Sequence, residues 1–317
     1  MHRRRFLSSL ALAAATSALL PTRSQTPSAP AASRRFKLCL APGSVGVKAD
    51  QKQTIDLAHR FGFEAVEPFA GTIANLPADQ RTALVAELKS LGLVWGAADL
   101  PVEFRQDDAR FNEGLQRLPR TAEALAGAGV TRVGTWLSPV GDPLTYMQDF
   151  RRHATRLRQV AQILKDHGQR LGLEYVGTKT SRDGARHPFI HSLAELQDLI
   201  AEIGTGNVGV VLDSWHWWQA GDTPAAIEKL RAEDVVSVDL NDAPAGVAKE
   251  QQRDNQRELP AATGVLPVVP FLQALVRIGY DGPIRAEPFN RKLNDLENEP
   301  ACEATIAALR RAVGQLG

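Results

Sequence analysis

The sequence has little excess charge, and its N-terminal apolar run is too short to cross a membrane. The formal net charge is +1 over 317 residues. Four of the arginines lie within the first 31 residues, and without them the formal charge falls to about −3. We expect no nucleic-acid partner, because a mildly acidic chain has no basic surface to attract one. We also expect no stable membrane anchor, because the apolar run at residues 10–20 is shorter than the roughly 20 residues that a spanning helix needs.

Cysteines and phosphate-binding motifs are also scarce. Cys39 and Cys302 are the only two cysteines, and they lie far apart in the sequence. We expect both to be buried thiols, although a disulfide is not excluded. The segment 41–46 is a weak match to the glycine-rich turn of dinucleotide-binding sheets and lacks its full spacing. An open doubly wound sheet is therefore the alternative fold and not the favoured one.

The N-terminal segment has the composition of an export signal. The pair Arg3-Arg4 is followed by the apolar run at residues 10–20, as in twin-arginine signals. We therefore expect a signal peptide and leader over residues 1–31 and a linker over residues 32–35. The mature protein would then be exported to the periplasm.

Strands and helices alternate over residues 36–317. The predicted strands are 36–40, 64–67, 94–97, 130–135, 171–175, 208–212, 235–240 and 283–287. The predicted helices are 51–61, 77–91, 110–127, 143–167, 193–203, 224–230, 268–278 and 301–313. Eight β/α units predict a single-domain α/β fold, the (β/α)8 TIM barrel.

Four of the apolar runs that predict strands end at an acidic residue, and this pattern is the best indication of function. The four residues are Glu174, Asp213, Asp239 and Glu287. A buried carboxylate is costly without a partner, and the C-terminal ends of barrel strands meet at one mouth. We therefore expect the four acids to share a divalent metal ion. Glu174 and Glu287 are also expected to carry protons on opposite faces of a small substrate. The alternative for any one acid is a helix cap or a structural salt bridge.

Five other residues are candidates for substrate contacts. His216 follows Asp213 closely and could hydrogen-bond a substrate oxygen. Trp215 and Trp136 could form the wall of a sugar-sized pocket, together with the neighbouring tryptophans at positions 217 and 218. Arg257 lies in the long segment after the seventh strand, and it is the candidate for a cationic contact to substrate hydroxyls. Glu67, at the end of the second strand, is a weaker candidate for a polar pocket residue.

Four sequence segments together resemble the xylose isomerase-like TIM-barrel superfamily, over about residues 36–315. They are Leu173-Glu174, Leu212-Asp213-Ser-Trp-His216, Asp239-Leu-Asn-Asp242-Ala and Ala286-Glu287-Pro-Phe289. The resemblance implies that Glu174, Asp213 and Glu287 bind a divalent metal, that the two glutamates move a proton, and that His216 contacts a substrate oxygen. This chain departs from the family in having Asp239 where a histidine is usual. An all-oxygen ligand set favours Mn²⁺ or Mg²⁺ over Zn²⁺.

The resemblance implies a metal-dependent sugar isomerase or epimerase that works through an enediolate. A lyase or dehydratase acting on an oxidised sugar or inosose is the alternative enzyme. A periplasmic barrel that binds a sugar without chemistry is the non-catalytic alternative. DNA repair of the endonuclease IV type is disfavoured, because the chain has only 7 histidines and endonuclease IV needs a histidine-rich zinc cluster. The sequence does not indicate which sugar is bound or the oligomeric state.

Overall fold

Nine short parallel strands form one sheet at the centre of the molecule. The computed structural model describes residues 34–141 and 143–316, so the predicted signal segment lies outside the described residues. The strands are β1 Lys37–Leu40, β2 Ala65–Val66, β3 Val94–Trp95, β4 Ala98–Asp99, β5 Arg132–Trp136, β6 Arg170–Glu174, β7 Val208–Asp213, β8 Val235–Leu240 and β9 Pro283–Ala286. Every pairing between these strands is parallel.

The strand order returns the sheet to its starting point. The order is β3-β2-β1-β9-β8-β7-β6-β5-β4, in which β3 lies within the third predicted strand and β4 directly follows it. Gly96 lies at the break between them, where a Cβ atom would come within 2.7 Å of the Cys39 sulfur. The predicted eight-unit TIM barrel is therefore confirmed, with its third strand interrupted. Cys39 and Cys302 are unpaired and buried, as expected.

Helices cover the outside of the sheet, as a parallel sheet requires. They are α1 Gln51–Phe61, α2 Ala70–Asn75, α3 Ala78–Ser90, α4 Asp108–Gly127, α5 Tyr146–Asp166, α6 Leu193–Ile203, α7 Ser214–Ala220, α8 Pro224–Ile227, α9 Val268–Arg277, α10 Arg291–Asn294 and α11 Asn298–Gly314. Most agree with the sequence pattern, and α1 and α6 have the predicted bounds. The helix α7 lies in a segment for which the sequence predicts no helix. Among the described residues, no helix is both long enough and apolar enough to span a membrane.

Tight packing between neighbouring strands closes the barrel below its C-terminal mouth. A Cβ atom at Gly172 on β6 would come within 2.8 Å of Val211 and 2.9 Å of Val236, on the next two strands. Valine side chains therefore occupy the space beside this glycine, and they form a dry layer beneath the ends of the strands. The acidic strand ends lie above this layer.

Candidate active site

The four acidic residues predicted from the strand ends meet at the mouth of the barrel. Glu174 ends β6, Asp213 ends β7, Asp239 lies near the end of β8, and Glu287 directly follows β9. One carboxylate oxygen from each residue lies within 4.8 Å of the others. Asp213 and Asp239 are fully buried, and the Glu287 side chain is 13% exposed. The register of the parallel strands thus brings together residues that are up to 113 positions apart in sequence.

Asn241 connects two of these acids and was not predicted from the sequence. Its side-chain amide donates to Asp213 Oδ1 at 3.1 Å, and its side-chain carbonyl accepts the backbone N–H of Glu287 at 2.9 Å. The same Asp213 oxygen accepts the backbone N–H of Trp215 at 2.6 Å, which caps the start of α7. Asp213 is therefore both a helix cap and a site residue. Its Oδ1 is held by these two hydrogen bonds, and its Oδ2 takes part in neither.

Arg257 brings a buried positive charge into the centre of the acid cluster. Its side chain is 1% exposed, and Nη1 lies 2.7 Å from Asp213 Oδ2 and 3.3 Å from Glu287 Oε2. Nη2 donates to Asp254 Oδ1 at 2.8 Å. The guanidinium also lies over the Trp215 ring, 5.4 Å from its centroid. The structure excludes a solvated arginine, because Arg257 is ion-paired with two of the predicted acids and lines the cavity. The contact to substrate hydroxyls stays a prediction.

The loop that carries Arg257 is anchored by Asp242. Both carboxylate oxygens of Asp242 accept backbone N–H groups from distant parts of this loop and from the next residue. The donors are Ala243, Thr263, Gly264 and Leu266. Four such bonds hold residues 242–266 as a closed loop, so the arginine at its centre is fixed against the barrel mouth.

Arg285 is a second cation at the site, with a side chain 20% exposed, and it was not predicted from the sequence. It lies within β9, and its Nε and Nη2 contact Asp239 Oδ1 at 2.5 Å and Asp239 Oδ2 at 3.2 Å. Weaker contacts reach Glu287 Oε1 and Glu67 Oε1, both at 3.4 Å. A charged residue inside an otherwise apolar strand was the signal that could have revealed it. Both oxygens of Asp239 are therefore engaged by one guanidinium.

Glu174 differs from the other three acids in having no arginine partner. It is 9% exposed, and its Oε1 is buried without a hydrogen-bond partner among the described residues. An unpaired buried carboxylate oxygen is unfavourable, so such an atom marks a place where another group is expected to bind.

The crowding of acids raises their affinity for protons. Burial, followed by the charge of Asp239, raises the pKa of Glu287 to about 8. Burial, followed by the charge of Glu287, raises the pKa of Glu174 well above its ordinary value. Burial also raises the pKa of Asp213, although the positive charge of Arg257 opposes the rise. Without a further cation, the site therefore holds protons at neutral pH.

His216 lies beside Arg257 and faces the cavity as a neutral imidazole. Its Nε2 lies 3.2 Å from Arg257 Nη2, and its Nδ1 lies 3.4 Å from Thr178 Oγ1. An arginine can only donate, so Nε2 accepts and the ring proton is on Nδ1. Burial, followed by the charge of Arg257, lowers the pKa of His216 to about 3. His216 is thus a fixed neutral group and not a proton carrier at neutral pH.

The tryptophans after β7 do not form the cavity wall that the sequence suggested. Trp215 is fully buried, and its indole N–H donates to Thr178 Oγ1 at 2.7 Å. Trp217 is buried against Phe271, and none of the three tryptophans of α7 lines the cavity. The reason is α7 itself, which turns these rings away from the mouth and into the supporting layer. Trp215 therefore lies behind the site and supports Arg257 from below.

Trp136 and Glu67 do line the cavity at the barrel mouth, which has a volume of about 1210 Å³. Trp136 ends β5 and is 47% exposed. Glu67 lies one residue after β2, and burial, opposed by the charge of Arg285, raises its pKa to about 7. The same cavity contains Glu174, His216, Arg257, Arg285 and Glu287. The structure thus brings the predicted contact residues to one cavity, with the exception of Trp215.

The residues of this site fit a divalent cation. All candidate donors are carboxylate oxygens, with His216 able to add a nitrogen in a second grouping with Glu174 and Asp213. The unpartnered Glu174 oxygen is the clearest open donor. Asp239 fits less well, because a single guanidinium, that of Arg285, holds both of its oxygens.

Comparison with known proteins identifies the family. A family model described as a xylose isomerase-like TIM barrel matches residues 55–312, and the chain belongs to this family. Among curated proteins, the inosose isomerase of Bacillus velezensis is 21% identical over 83% of this chain and 92% of its own length. The 3-dehydroshikimate dehydratase of Pseudomonas aeruginosa is 24% identical over 57% of this chain, a match that spans 27% of that longer protein.

Solved structures show the same architecture. A xylose isomerase domain protein from Alicyclobacillus acidocaldarius is 32% identical, with a TM-score of 0.78, 89% of this chain and 99% of that chain covered. The IOLI protein, solved with a bound zinc atom, has a TM-score of 0.74 at 17% identity, covering 89% of this chain and 99% of that one. D-psicose 3-epimerase from Clostridium cellulolyticum has a TM-score of 0.65 at 18% identity, with 86% and 99% of the two chains covered.

Proposed function

We propose that this protein is a divalent-metal-dependent sugar isomerase or epimerase. The observation that carries the proposal is the pair Glu174 and Glu287, which approach each other from non-adjacent strands with raised pKa values and an open carboxylate oxygen. The names of the inosose isomerase and the psicose 3-epimerase, which share the fold, support the same reaction class.

The metal is held by Glu174, Asp213 and Glu287 in this proposal. Asp239 is assigned instead to Arg285, since its two oxygens are already in ion-paired hydrogen bonds. Oxygen ligands favour Mn²⁺ or Mg²⁺. The bound ion would polarise the carbonyl and the neighbouring hydroxyl of the sugar, which acidifies the C–H bond beside the carbonyl.

The two glutamates transfer the proton. Each glutamate has two carboxylate oxygens, so one oxygen can hold the ion while the other accepts or returns a proton. Glu174 has an oxygen free to accept. One glutamate removes a proton from the sugar carbon to give an enediolate, and the other returns a proton. Return from the opposite face gives epimerisation, and return to the neighbouring carbon gives isomerisation.

The neutral His216 and the buried Arg257 fix the acids that face the sugar, since their own polar atoms are already engaged within the protein. Arg257 is held by Asp254 and supported by Trp215, so its position does not depend on the substrate. His216 presents a fixed imidazole to the cavity because its two nitrogens contact Arg257 and Thr178. Such fixed polar groups favour one orientation of the substrate over others.

Because the sequence predicts an export signal, we further propose that the enzyme works in the periplasm. We also propose that its sugar substrate has no phosphate group. The arginines that line the cavity are already paired with acids, which leaves them poorly suited to bind phosphate. These pairs are Arg105 with Glu103, Arg257 with Asp213, and Arg285 with Asp239.

A lyase that removes water from an oxidised sugar or inosose is the second candidate. The match to a 3-dehydroshikimate dehydratase favours it. Its first step is the same removal of a proton beside a carbonyl, followed by loss of a β-oxygen group. The two reactions differ in the substrate and require no different residue at the proton-transfer step.

Solvent exchange tests the proposed chemistry. The Mn²⁺-loaded mature protein is incubated in D₂O with a panel of ketoses and inososes, and deuterium incorporation is followed by NMR. We expect exchange at the carbon beside the carbonyl, and a loss of about 10²–10⁴-fold in Glu287→Gln, as is typical when an acid–base group is removed. Undiminished exchange in Glu287→Gln would exclude Glu287 as a proton carrier. The absence of exchange with every sugar would instead favour the non-catalytic sugar-binding barrel.

A further inference from the structure

Glu67 lies across the barrel mouth from the proposed metal ligands. It directly follows β2, and Asp213 ends β7. With β3 and β4 counted as one interrupted strand, three strands separate β2 from β7 in each direction around the ring. The two strands therefore lie on facing sides of the barrel. A ligand that binds the acid cluster at one end has Glu67 on the opposite wall.

The cavity continues from the acid cluster to this opposite wall. Residues 42–44 and 47–49, after β1, and residues 67–71, after β2, line it there. Lys48 and Asp99 also line this side, and both are exposed to solvent. Arg105 is ion-paired with Glu103. Glu67 differs from these charged groups, because its side chain is only 12% exposed and still faces the cavity.

The carboxylate of Glu67 is only weakly engaged within the protein. Its Oε1 accepts a hydrogen bond from Arg285 Nη1 at 3.4 Å, whereas hydrogen bonds between charged groups are usually about 2.7–2.9 Å long. Arg285 is held more closely by Asp239, through Nε and Nη2. Glu67 Oε2 has no hydrogen-bond partner among the described residues. A largely buried carboxylate of this kind lacks a strong donor.

The backbone that carries Glu67 is fixed on both sides. The Glu67 N–H donates to the Leu40 carbonyl of β1 at 2.9 Å. The buried amide of Gln51 donates to the Glu67 carbonyl at 3.1 Å and accepts the N–H of Phe69 at 2.6 Å. Pro68 lies between these two contacts and restricts the backbone further. The carboxylate is therefore presented to the cavity from a rigid segment, as a binding group requires.

From these observations we propose that Glu67 determines substrate specificity by accepting a hydrogen bond from a hydroxyl group at the end of the sugar opposite its carbonyl. This inference rests on the proposed function, which places the carbonyl end at the metal. A hydroxyl group supplies the donor that the carboxylate lacks, whereas a phosphate or carboxylate group at the same place brings two negative charges together. The substrate is then a neutral sugar with a free hydroxyl group at that end.

Binding measurements with matched ligands test the proposal. Calorimetry on the Mg²⁺-supplemented mature protein compares fructose, psicose, sorbose and tagatose, and then the 5-deoxy, 6-deoxy and 6-phosphate derivatives of the tightest binder. We expect one of the two deoxy derivatives to bind about 10- to 100-fold more weakly than the parent sugar, the size of a hydrogen bond to a charged group. The phosphate should also bind more weakly than the parent sugar.

Two variants of Glu67 separate its hydrogen bond from its charge. Glu67→Ala should bind the parent sugar and the deoxy derivative with nearly equal affinity, because no acceptor is left for the hydroxyl group. Glu67→Gln keeps an acceptor and removes the charge, so it should retain part of the hydroxyl preference and bind the phosphate more tightly than the unmodified protein does. Titration of Mn²⁺ into both variants should give the affinity of the unmodified protein.

The control variant is Asp99→Asn, which removes an exposed negative charge from the same side of the cavity and leaves Glu67 in place. It should keep both preferences. A hydroxyl preference that survives in Glu67→Ala, the same changes in Asp99→Asn as in the Glu67 variants, or no binding of any of the ketohexoses would each overturn the proposal. Solvent exchange separates this result from the proposed chemistry, since a Glu67-dependent preference without exchange would contradict only the proton transfer.

Discussion

The buried Arg257 and the partly buried Arg285 pair with the acids of the site in different ways. Arg257 enters from a loop and is shared between Asp213 and Glu287, at 2.7 and 3.3 Å. Arg285 comes from a strand and binds both oxygens of Asp239. Each contact from Arg257 involves one oxygen of its acid, whereas Arg285 holds both oxygens of Asp239. Glu174 Oε1 has no hydrogen-bond partner among the described residues.

This difference divides four apparently equivalent acids into two kinds. In the proposed function, Glu174, Asp213 and Glu287 hold the metal and face the substrate, and Glu174 has no arginine contact among the described residues. Asp239 lies where the resemblance leads us to expect a histidine, and it is ion-paired with Arg285. We therefore propose that Asp239 is a counter-ion for this arginine and not a metal ligand.

The largest expected effect comes from replacing Arg285 while its partner Asp239 stays in place. Arg285→Met leaves the fully buried Asp239 without its counter-charge, and it should lower the free energy of unfolding by about 3–5 kcal/mol. Urea unfolding of the metal-free protein measures this loss. The double variant Arg285→Met with Asp239→Asn removes both charges and should be clearly more stable than Arg285→Met alone. Equal stability of the two variants would show that the uncompensated charge of Asp239 is not the cause of the loss.

The pH dependence of stability should reflect the raised pKa values of the acids at the barrel mouth. Folding raises the pKa of Glu287 from 4.5 to about 8 and that of Glu67 to about 7, chiefly through burial. The folded state then holds protons that the unfolded state releases, so stability is greatest below pH 4.5 for these groups and falls as the pH rises toward 8.

Thermal melts of the chelator-treated protein between about pH 5 and 8 test this expectation, since the melting temperature should fall across that range by several degrees. Added Mg²⁺ should flatten the curve, because a bound cation takes the place of the protons. Glu287→Gln should also reduce the slope. A melting temperature that rises with pH in the metal-free protein would contradict the assigned directions.

A smaller effect is expected at His216, which contacts Arg257 and is not needed to hold the metal. His216→Ala should lower kcat/KM about 10- to 100-fold, as removal of an orienting neighbour usually does, and leave the metal affinity unchanged. His216→Asn, which keeps a hydrogen-bond acceptor, should recover part of the activity. Loss of metal in His216→Ala would make the histidine a ligand, in the grouping it can form with Glu174 and Asp213.

Much of the fold and the positions of the four acids could be predicted from the sequence. Short apolar runs alternate with helical segments, and a carboxylate at the end of such a run must lie at the barrel mouth. Arg285 was missed because it lies within a strand, one residue before Ala286, whereas the acids that predict the site lie at strand ends. Its partner could not be inferred without the register between β8 and β9, which places it opposite Asp239.

The burial of Arg257 and the orientation of the tryptophan side chains could not be predicted, for different reasons. Arg257 is buried because Asp242 closes a long loop with four backbone hydrogen bonds, and local sequence does not show where such a loop folds back. Trp215 is turned away from the cavity by α7, which Asp213 caps. A short helix that starts at an active-site acid gives too few residues for its periodicity to be recognised.

Calorimetric titration of Mn²⁺ into the chelator-stripped mature protein tests most directly which of the four acids bind the metal. The parent protein is compared with Glu174→Gln and with Asp239→Asn. The account predicts one-to-one binding in the parent, loss of binding in Glu174→Gln, and an affinity close to that of the parent in Asp239→Asn. Loss of binding in Asp239→Asn with binding retained in Glu174→Gln would contradict it, and would make Asp239 a true ligand that Arg285 releases when the metal enters.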